Sequence, residues 1–187
     1  VNEARFGFNR STPSELVPET DRTFQLISGR GVGEINVPGA SDIGTDRTNP
    51  KAFLMNNYQG ADNLFFTHGR HSLKLGGGFE RFQYNGLSES RTRGLLRFNS
   101  LADLLRFRVR DWQGATLDSD FVRGFRQSLT GLYVDDEFRF NRRLSFNYGL
   151  RYEFVTTPLE VNSKVANLRS ILDKTVTTGD PYFEPNH

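Results

Sequence analysis

Of 187 residues, 24 are basic and 22 acidic, which leaves a net charge of +2, and only 36% are hydrophobic. So small a charge excludes electrostatic capture of nucleic acid as a global property. The absence of cysteine excludes a disulfide framework, a zinc ribbon or a thiol nucleophile, and no apolar run approaches the roughly 18 residues of a membrane-crossing helix.

The chain opens VNEARFGFNR, without an initiator methionine or a charged-then-apolar secretory segment, and its only methionine is Met55. It is expected to be an internal piece of something longer. Ala4, Phe6 and Phe8 alternate with Glu3, Arg5, Gly7 and Asn9, so residues 1–10 are expected to form a strand. A connection rich in Gly, Pro, Ser, Thr and Asp runs from 11 to about 50, and within it TFQLI and GEINV suit a small hairpin across Ser28–Gly33. A second strand is expected over 53–67, patterned most clearly at Asn63-Leu64-Phe65-Phe66. A tight turn at His68-Gly69-Arg70 then leads into a strand over 71–84, with Leu73, Leu75, Gly77 and Phe79 on one face. Glycine at 69 suits the positive φ of such turns.

Residues 85–124 form another long connection. Inside it Ser100-Leu101-Ala102-Asp103 resembles a capping box opening a short helix near 100–107, with Leu101, Leu104 and Leu105 on one face. Two long strands follow, over 125–140 and 143–156, joined at Asn141-Arg142-Arg143. On the second, Leu144, Phe146, Tyr148, Leu150, Tyr152 and Phe154 share one face, while Ser145, Asn147, Gly149, Arg151 and Glu153 share the other. That alternation outlasts an ordinary strand of about 5–6 residues and matches the roughly 9–11 that cross a bilayer at a tilt. A third polar connection runs from 157 to 187.

Loops of 30–40 residues are uncommon in compact domains, whereas short turns alternating with long loops describe outer-membrane barrels, with short periplasmic turns and long extracellular loops. The expected fold is therefore all-β: an antiparallel up-and-down transmembrane β-barrel wall of about five long strands. The turns at 68–70 and 141–143 would face the periplasm, and 11–50, 85–124 and 157–187 the exterior. About five strands cannot close, because bacterial outer-membrane barrels begin at about eight, so residues 1–187 read as part of one larger barrel domain. A soluble β-sandwich module binding glycan or nucleic acid is the alternative, since abundant phenylalanine (17 residues) suits a sandwich core as well as a membrane girdle.

HGRHSLKLGGGFERFQYN, then SLADLL, then LYVDDEFRFNRRLSFNYGLRYEF, in this order and spacing, resemble the barrel of TonB-dependent outer-membrane receptors over about residues 1 to 170. Within that family the chain is most similar to the Oar-like subgroup, whose members carry a carboxypeptidase-regulatory-like domain ahead of the plug. The resemblance implies a barrel of about 22 strands with a plugged lumen, energy-coupled uptake of a large ligand through TonB, and outer-membrane lipid, the protein's own plug domain and the TonB system as partners. Plug and TonB-contacting segment are not within these residues, and the ligand is not named by the resemblance. An outer-membrane barrel serving adhesion or surface architecture is the other reading.

Few side chains suggest chemistry. His68 and His71 flank a turn, with His187 remote, and no cysteine or clustered carboxylate joins them as a metal site would require. Asp135, Asp136 and Glu137 are adjacent, so a strand sends Asp135 and Glu137 to one face and Asp136 to the other. Asp136 would then sit near the periplasmic rim, and Asp135 and Glu137 in the lumen near Arg139 or Arg151. Gly29-Arg30-Gly31-Val32-Gly33 lacks the spacing and the Lys-Ser/Thr of a phosphate loop. Gly76-Gly77-Gly78 inside a strand suits wall curvature or the close approach of a plug. Arg91, Arg93, Arg97, Arg106, Arg108 and Arg110 mix with Phe98, Phe107 and Trp112, and RFRVRDW reads as a half-buried strand with Arg106, Arg108 and Arg110 on one side. Arg106, Arg108, Arg110 and Trp112 are the candidate ligand contacts. No catalysis, no cofactor, no metal and no nucleic-acid partner are expected.

Overall fold

The computed structural model describes residues 1–17 and 25–179. In chain order the elements are β1 (Asn2–Ser11), β2 (Ser14–Glu15), β3 (Glu34–Asn36), β4 (Ile43–Gly44), β5 (Lys51–His68), β6 (His71–Ser88), β7 (Leu95–Arg97), α1 (Leu101–Leu105), β8 (Asp111–Gln113), β9 (Val122–Asn141), β10 (Leu144–Val155), β11 (Leu159–Glu160), β12 (Val165–Asn167) and β13 (Thr177–Gly179). The five long strands are those the alternation marks, extended at their upper ends to 18 residues in β5 and β6 and 20 in β9. Contacts divide the chain into two compact units, one of 1–11, 54–85 and 123–187, the other of 12–53 and 86–122.

The first unit is a wall. Its strands lie in the order β1-β5-β6-β9-β10, an up-and-down sheet of antiparallel neighbours with β11 added beside β9. The tight turns close as expected. Gly69 takes φ +59°, and the Asn141 side chain accepts the Arg143 amide at 2.8 Å, a local turn bond that leaves two residues at the tip. Register decides the faces. Leu150 lies opposite Val134 and Tyr152 opposite Leu132, while Asn147 opposes Glu137 and Arg151 opposes Tyr133, so one face is apolar and the other polar.

Among the described residues, the large side chains of the apolar face are exposed. Phe6 is 91% exposed and Leu150 71%, and all of β10 is exposed. A soluble sandwich would bury such a face, because burying each large side chain is worth about 1.5–3 kcal/mol. Its aromatics gather at two levels. Phe138, Phe140 and Phe146 meet edge-on near the tight turns, with centroids 6.5 Å apart. Phe8 pairs with Tyr58 at 5.0 Å, and Tyr152 with Phe154 at 5.9 Å, toward the other end. Two aromatic belts flanking an aliphatic band are the outer surface of a membrane barrel.

The second unit corrects the picture of 11–50 and 85–124 as plain connections. They build a sheet of their own in the order β4-β3-β7-β8, in which β3 and β7, from different connections, run parallel. Val37, Leu95 and Phe98 form its core and are the buried apolar residues among those described. Glu34, 2% exposed, is satisfied by the Arg47 amide at 2.5 Å and the Arg47 guanidinium at 3.0 Å, as a buried carboxylate requires. The expected hairpin between TFQLI and GEINV does not form. Gln25–Ile27 are not in a strand, Thr23 and Phe24 lie outside the described residues, and GEINV pairs with β4 and β7 instead.

The helix is where the capping box puts it. Ser100 Oγ accepts the Asp103 amide at 3.2 Å and donates to its carboxylate at 2.9 Å. The strand expected at RFRVRDW is replaced over 106–110 by the end of that helix. Phe107 adopts φ +52°, its amide reaches the Leu104 carbonyl at 3.0 Å, and the Arg108 amide reaches that of Asp103 at 2.7 Å. These two bonds satisfy carbonyls the helix end leaves open, and they outweigh an alternation too short to pair.

Candidate functional site

The polar face of the wall is the larger candidate surface. At its centre the Tyr133 hydroxyl donates to Asn63 Oδ1 at 2.7 Å, reaching from β9 across β6 to β5. The ring crosses β6 at Gly76, where a Cβ would lie 2.6 Å from Tyr133 Cζ and 2.5 Å from Asn63 Oδ1. Gly76 is therefore glycine because the wall's own tyrosine lies over it. Gly77, on the apolar face, accommodates Leu132 in the same way, and only Gly78 faces open space. At 76 and 77 the glycines make room for side chains of the neighbouring strand.

Around this joint lie paired charges. The Arg151 guanidinium stands 5.9 Å from the Tyr133 ring centroid and bonds Glu153, not Asp135 or Glu137 as the sequence suggested. Arg139 lies 3.9 Å from Glu137, the expected pairing. Glu3 holds Arg5 at 2.8 Å, and Glu80 accepts from Asn57 at 3.3 Å. Of these, Arg5, Glu80, Arg151 and Glu153 line, with Tyr133 and Asn63, a groove of about 510 Å³. Every one of these carboxylates has a donor, so the groove offers a hydrated, charge-balanced surface rather than a poised acid or base.

Asp136 and Asp62 are carboxylates on the apolar face, and Asp136 lies near the tight turns, as the alternation implies. What the sequence does not show is its burial. It is 7% exposed, one rung inside the Phe138–Phe146 belt, and its Oδ2 takes the Tyr148 hydroxyl at 2.6 Å and meets His71 Nδ1 at 2.6 Å. His71 also stacks on Phe138 at 4.7 Å. Three strands thus converge on one carboxylate and shield it from the aliphatic band. His68 stacks on Phe66 at 6.1 Å, and His187 lies outside the described residues. Among the described residues no group of three or more His, Asp and Glu side chains converges on a metal position.

The four candidate ligand contacts run from the end of α1 into β8. Arg106 caps α1, Arg108 is exposed beyond it, and Arg110 leans toward Asp111 at 3.5 Å. Trp112 is half-exposed in β8, opposite Leu96. Asp111 is held more closely by Arg97, at 2.8 Å. Two carboxylates outside the long strands are set low. Thr48 donates from its hydroxyl at 2.5 Å and its amide at 2.7 Å, which holds Asp46 below the usual carboxylate range. Burial alone would raise Glu160, but the amides of Lys164, Gly124 and Asn162 at 2.7–2.9 Å outweigh it and bring its pKa down.

The Tyr133 joint and the Asp136 cluster were beyond the sequence reading. A glycine facing a tyrosine across a strand, and an acid interrupting an apolar row, are the signals that point to them. The partners depend on register between strands, which alternation within one strand does not carry.

An unsupported apolar face between aromatic belts, backed by a polar face, defines the wall of an outer-membrane β-barrel. The family model described as "Outer membrane beta barrel domain" matches residues 1–186, and the chain belongs to that family. No curated protein and no solved structure matches the chain. The protein resides in the cell outer membrane, with lipid against its apolar face, and the soluble-sandwich alternative is overturned.

Proposed function

We propose that this wall belongs to a TonB-dependent receptor of the Oar-like kind, which admits a large ligand through a plugged barrel in an energy-coupled step, with no catalytic role. The observation that carries the reading is the open sheet. β1 and β10 stand at its two edges, and a sheet in lipid must close. Closing five long strands takes several more, and a wide barrel needs its lumen occupied or it leaks. The polar face supports the same reading, because a charge-balanced, hydrogen-bonding surface suits a lumen that holds a folded plug.

The test is photo-crosslinking in the full-length protein. A photoreactive residue at Asn147 or Gly78, on the polar face, should capture a segment of the same protein outside residues 1–187, and one at Leu150 should not. In planar bilayers the full-length protein should be closed at rest and open when urea unfolds the plug. A constitutively open pore, or no capture from the polar face, would defeat the proposal. Adhesion is the second reading, favoured by the ordered second unit with Leu105, Phe107 and Trp112 exposed. It predicts surface binding that survives loss of TonB.

A further inference from the structure

The apolar face ends abruptly toward the long connections, and what replaces it is basic. Directly beyond Phe8 on β1 comes Arg10. Beyond Tyr58 on β5 comes Asn56. Beyond Phe79 on β6 come Arg81 and Gln83, and on β9 the row reaches Ser128 and Arg126. These residues keep the parity of the apolar face, and their hydrogen bonds confirm that they share a side. Arg10 Nε donates to Asn56 Oδ1 at 2.8 Å, Asn56 donates to Gln83 at 3.3 Å, and Arg81 donates to Ser128 Oγ at 2.8 Å. The Arg10 guanidinium also lies 5.8 Å from the Phe8 ring centroid, which ties it to the aromatic belt.

Two facts set this row apart. The first is its level. Arg81 is the eleventh residue of β6 from the tight turn, where the roughly 9–11 residues of a bilayer crossing end. The second is its charge. Among the described residues, Arg10, Arg81 and Arg126 are in no ion pair, and each bonds neutral oxygens: Asn56, Ser128, and for Arg126 the Asn85 side chain at 2.9 Å with nearby carbonyls. On the polar face of the same sheet, by contrast, Arg5, Arg139 and Arg151 all have carboxylate partners. A guanidinium facing the edge of a low-dielectric medium is costly without a counter-charge, and its planar fork suits phosphate.

We infer that Arg10 and Arg81, braced by Asn56, Gln83 and Ser128, bind the phosphate groups of the anionic glycolipid in the outer leaflet, which supplies the counter-charge this face lacks. Arg126, spent on backbone carbonyls and Asn85, adds to the positive field of the row. The inference rests on the outer-membrane placement and not on transport, so it stands or falls independently of the proposal above.

The experiment uses the full-length protein, purified from outer membranes in mild detergent, with the co-purifying phosphorylated glycolipid measured by mass spectrometry. The double variant Arg10→Gln/Arg81→Gln should retain about tenfold less of it, in line with the loss of charge-assisted bonds, and Arg10→Lys/Arg81→Lys should fall between. Arg142→Gln/Arg143→Gln, at the opposite end of the wall, should match the unaltered protein. Should the Gln pair fail to fold, judged by heat-modifiable migration, the unaltered protein decides the matter: it should bind the phosphorylated lipid at least about tenfold more tightly than the same lipid stripped of phosphate. Equal binding of the two lipids overturns the inference. So does equal retention by the Gln pair, or an equal loss from the variants at 142 and 143.

Discussion

Alanine at position 76 should be far more costly than alanine at position 78, two residues along the same face of the same strand. A Cβ on Gly76 would lie 2.6 Å from Tyr133 Cζ and 2.5 Å from Asn63 Oδ1, well inside contact distance. The ring must lift, and lifting it breaks the 2.7 Å bond from its hydroxyl to Asn63. Overpacking of this kind costs about 1–3 kcal/mol and a lost hydrogen bond about 1 kcal/mol more, so Gly76→Ala should destabilise by about 2–4 kcal/mol. A Cβ on Gly78 meets nothing nearer than the Gly60 carbonyl at 3.8 Å. Gly78→Ala should be neutral, or stabilising by a few tenths of a kcal/mol, because alanine restricts the unfolded chain. Reversible denaturant unfolding of the full-length protein in lipid vesicles measures both. The cycle that isolates the cause adds Tyr133→Ala: with the ring gone, Gly76→Ala should lose most of its penalty. Equal effects at 76 and 78, or a penalty at 76 that survives removal of the tyrosine, would show that the ring does not dictate the glycine.

On the apolar face, Phe146→Arg or Leu150→Arg should cost about 2–4 kcal/mol if the site lies at mid-bilayer, and Ser145→Arg or Asn147→Arg far less; the same unfolding assay reads the contrast. Asp136→Ala strands His71 and the Tyr148 hydroxyl at the membrane edge and should cost about 1–3 kcal/mol, with Tyr148→Phe nearer 1 kcal/mol. Glu160 gives a pH dependence. Its folded pKa lies below the ordinary value of 4.5, so the stability it lends to the loop is fully present above that value and is lost as pH falls through the folded one. Exchange of the Gly124, Asn162 and Lys164 amides should therefore accelerate, relative to the unstructured chain, as pH falls through that folded value, and Glu160→Gln should remove the acceleration. In the second unit, Glu34→Ala leaves the Arg47 side chain and amide without their acceptor, so proteolysis within 12–53 should quicken while heat-modifiable migration of the wall stays unchanged.

Much of the wall was legible because a strand writes its faces into alternate residues. Leu144 to Phe154 against Ser145 to Glu153 is a local pattern, and β10 needed no partner to reveal it. The capping serine at 100 and the glycine at 69 were legible for the same reason, since each acts through its own few residues. The loop sheet was not. β3 and β7 are apolar-centred triplets, Glu34–Asn36 and Leu95–Arg97, too short to announce themselves and paired across about 60 residues, where only the closed chain brings them together. RFRVRDW misled because its alternation is real, yet the helix preceding it needs Phe107 and Arg108 to close its end.

The sequence by itself determined the strands of an all-β wall and their two faces: strand length, face alternation, and the rhythm of tight turns and long connections are all read along one strand at a time. Tertiary structure alone decided which side chains meet. Tyr133 lies on Gly76, Asp136 is claimed by His71 and Tyr148, and Arg10 and Arg81 find only neutral partners, because each contact depends on the register between strands. A shift of one residue in any pairing would leave every alternation intact and exchange the membrane face for the lumen.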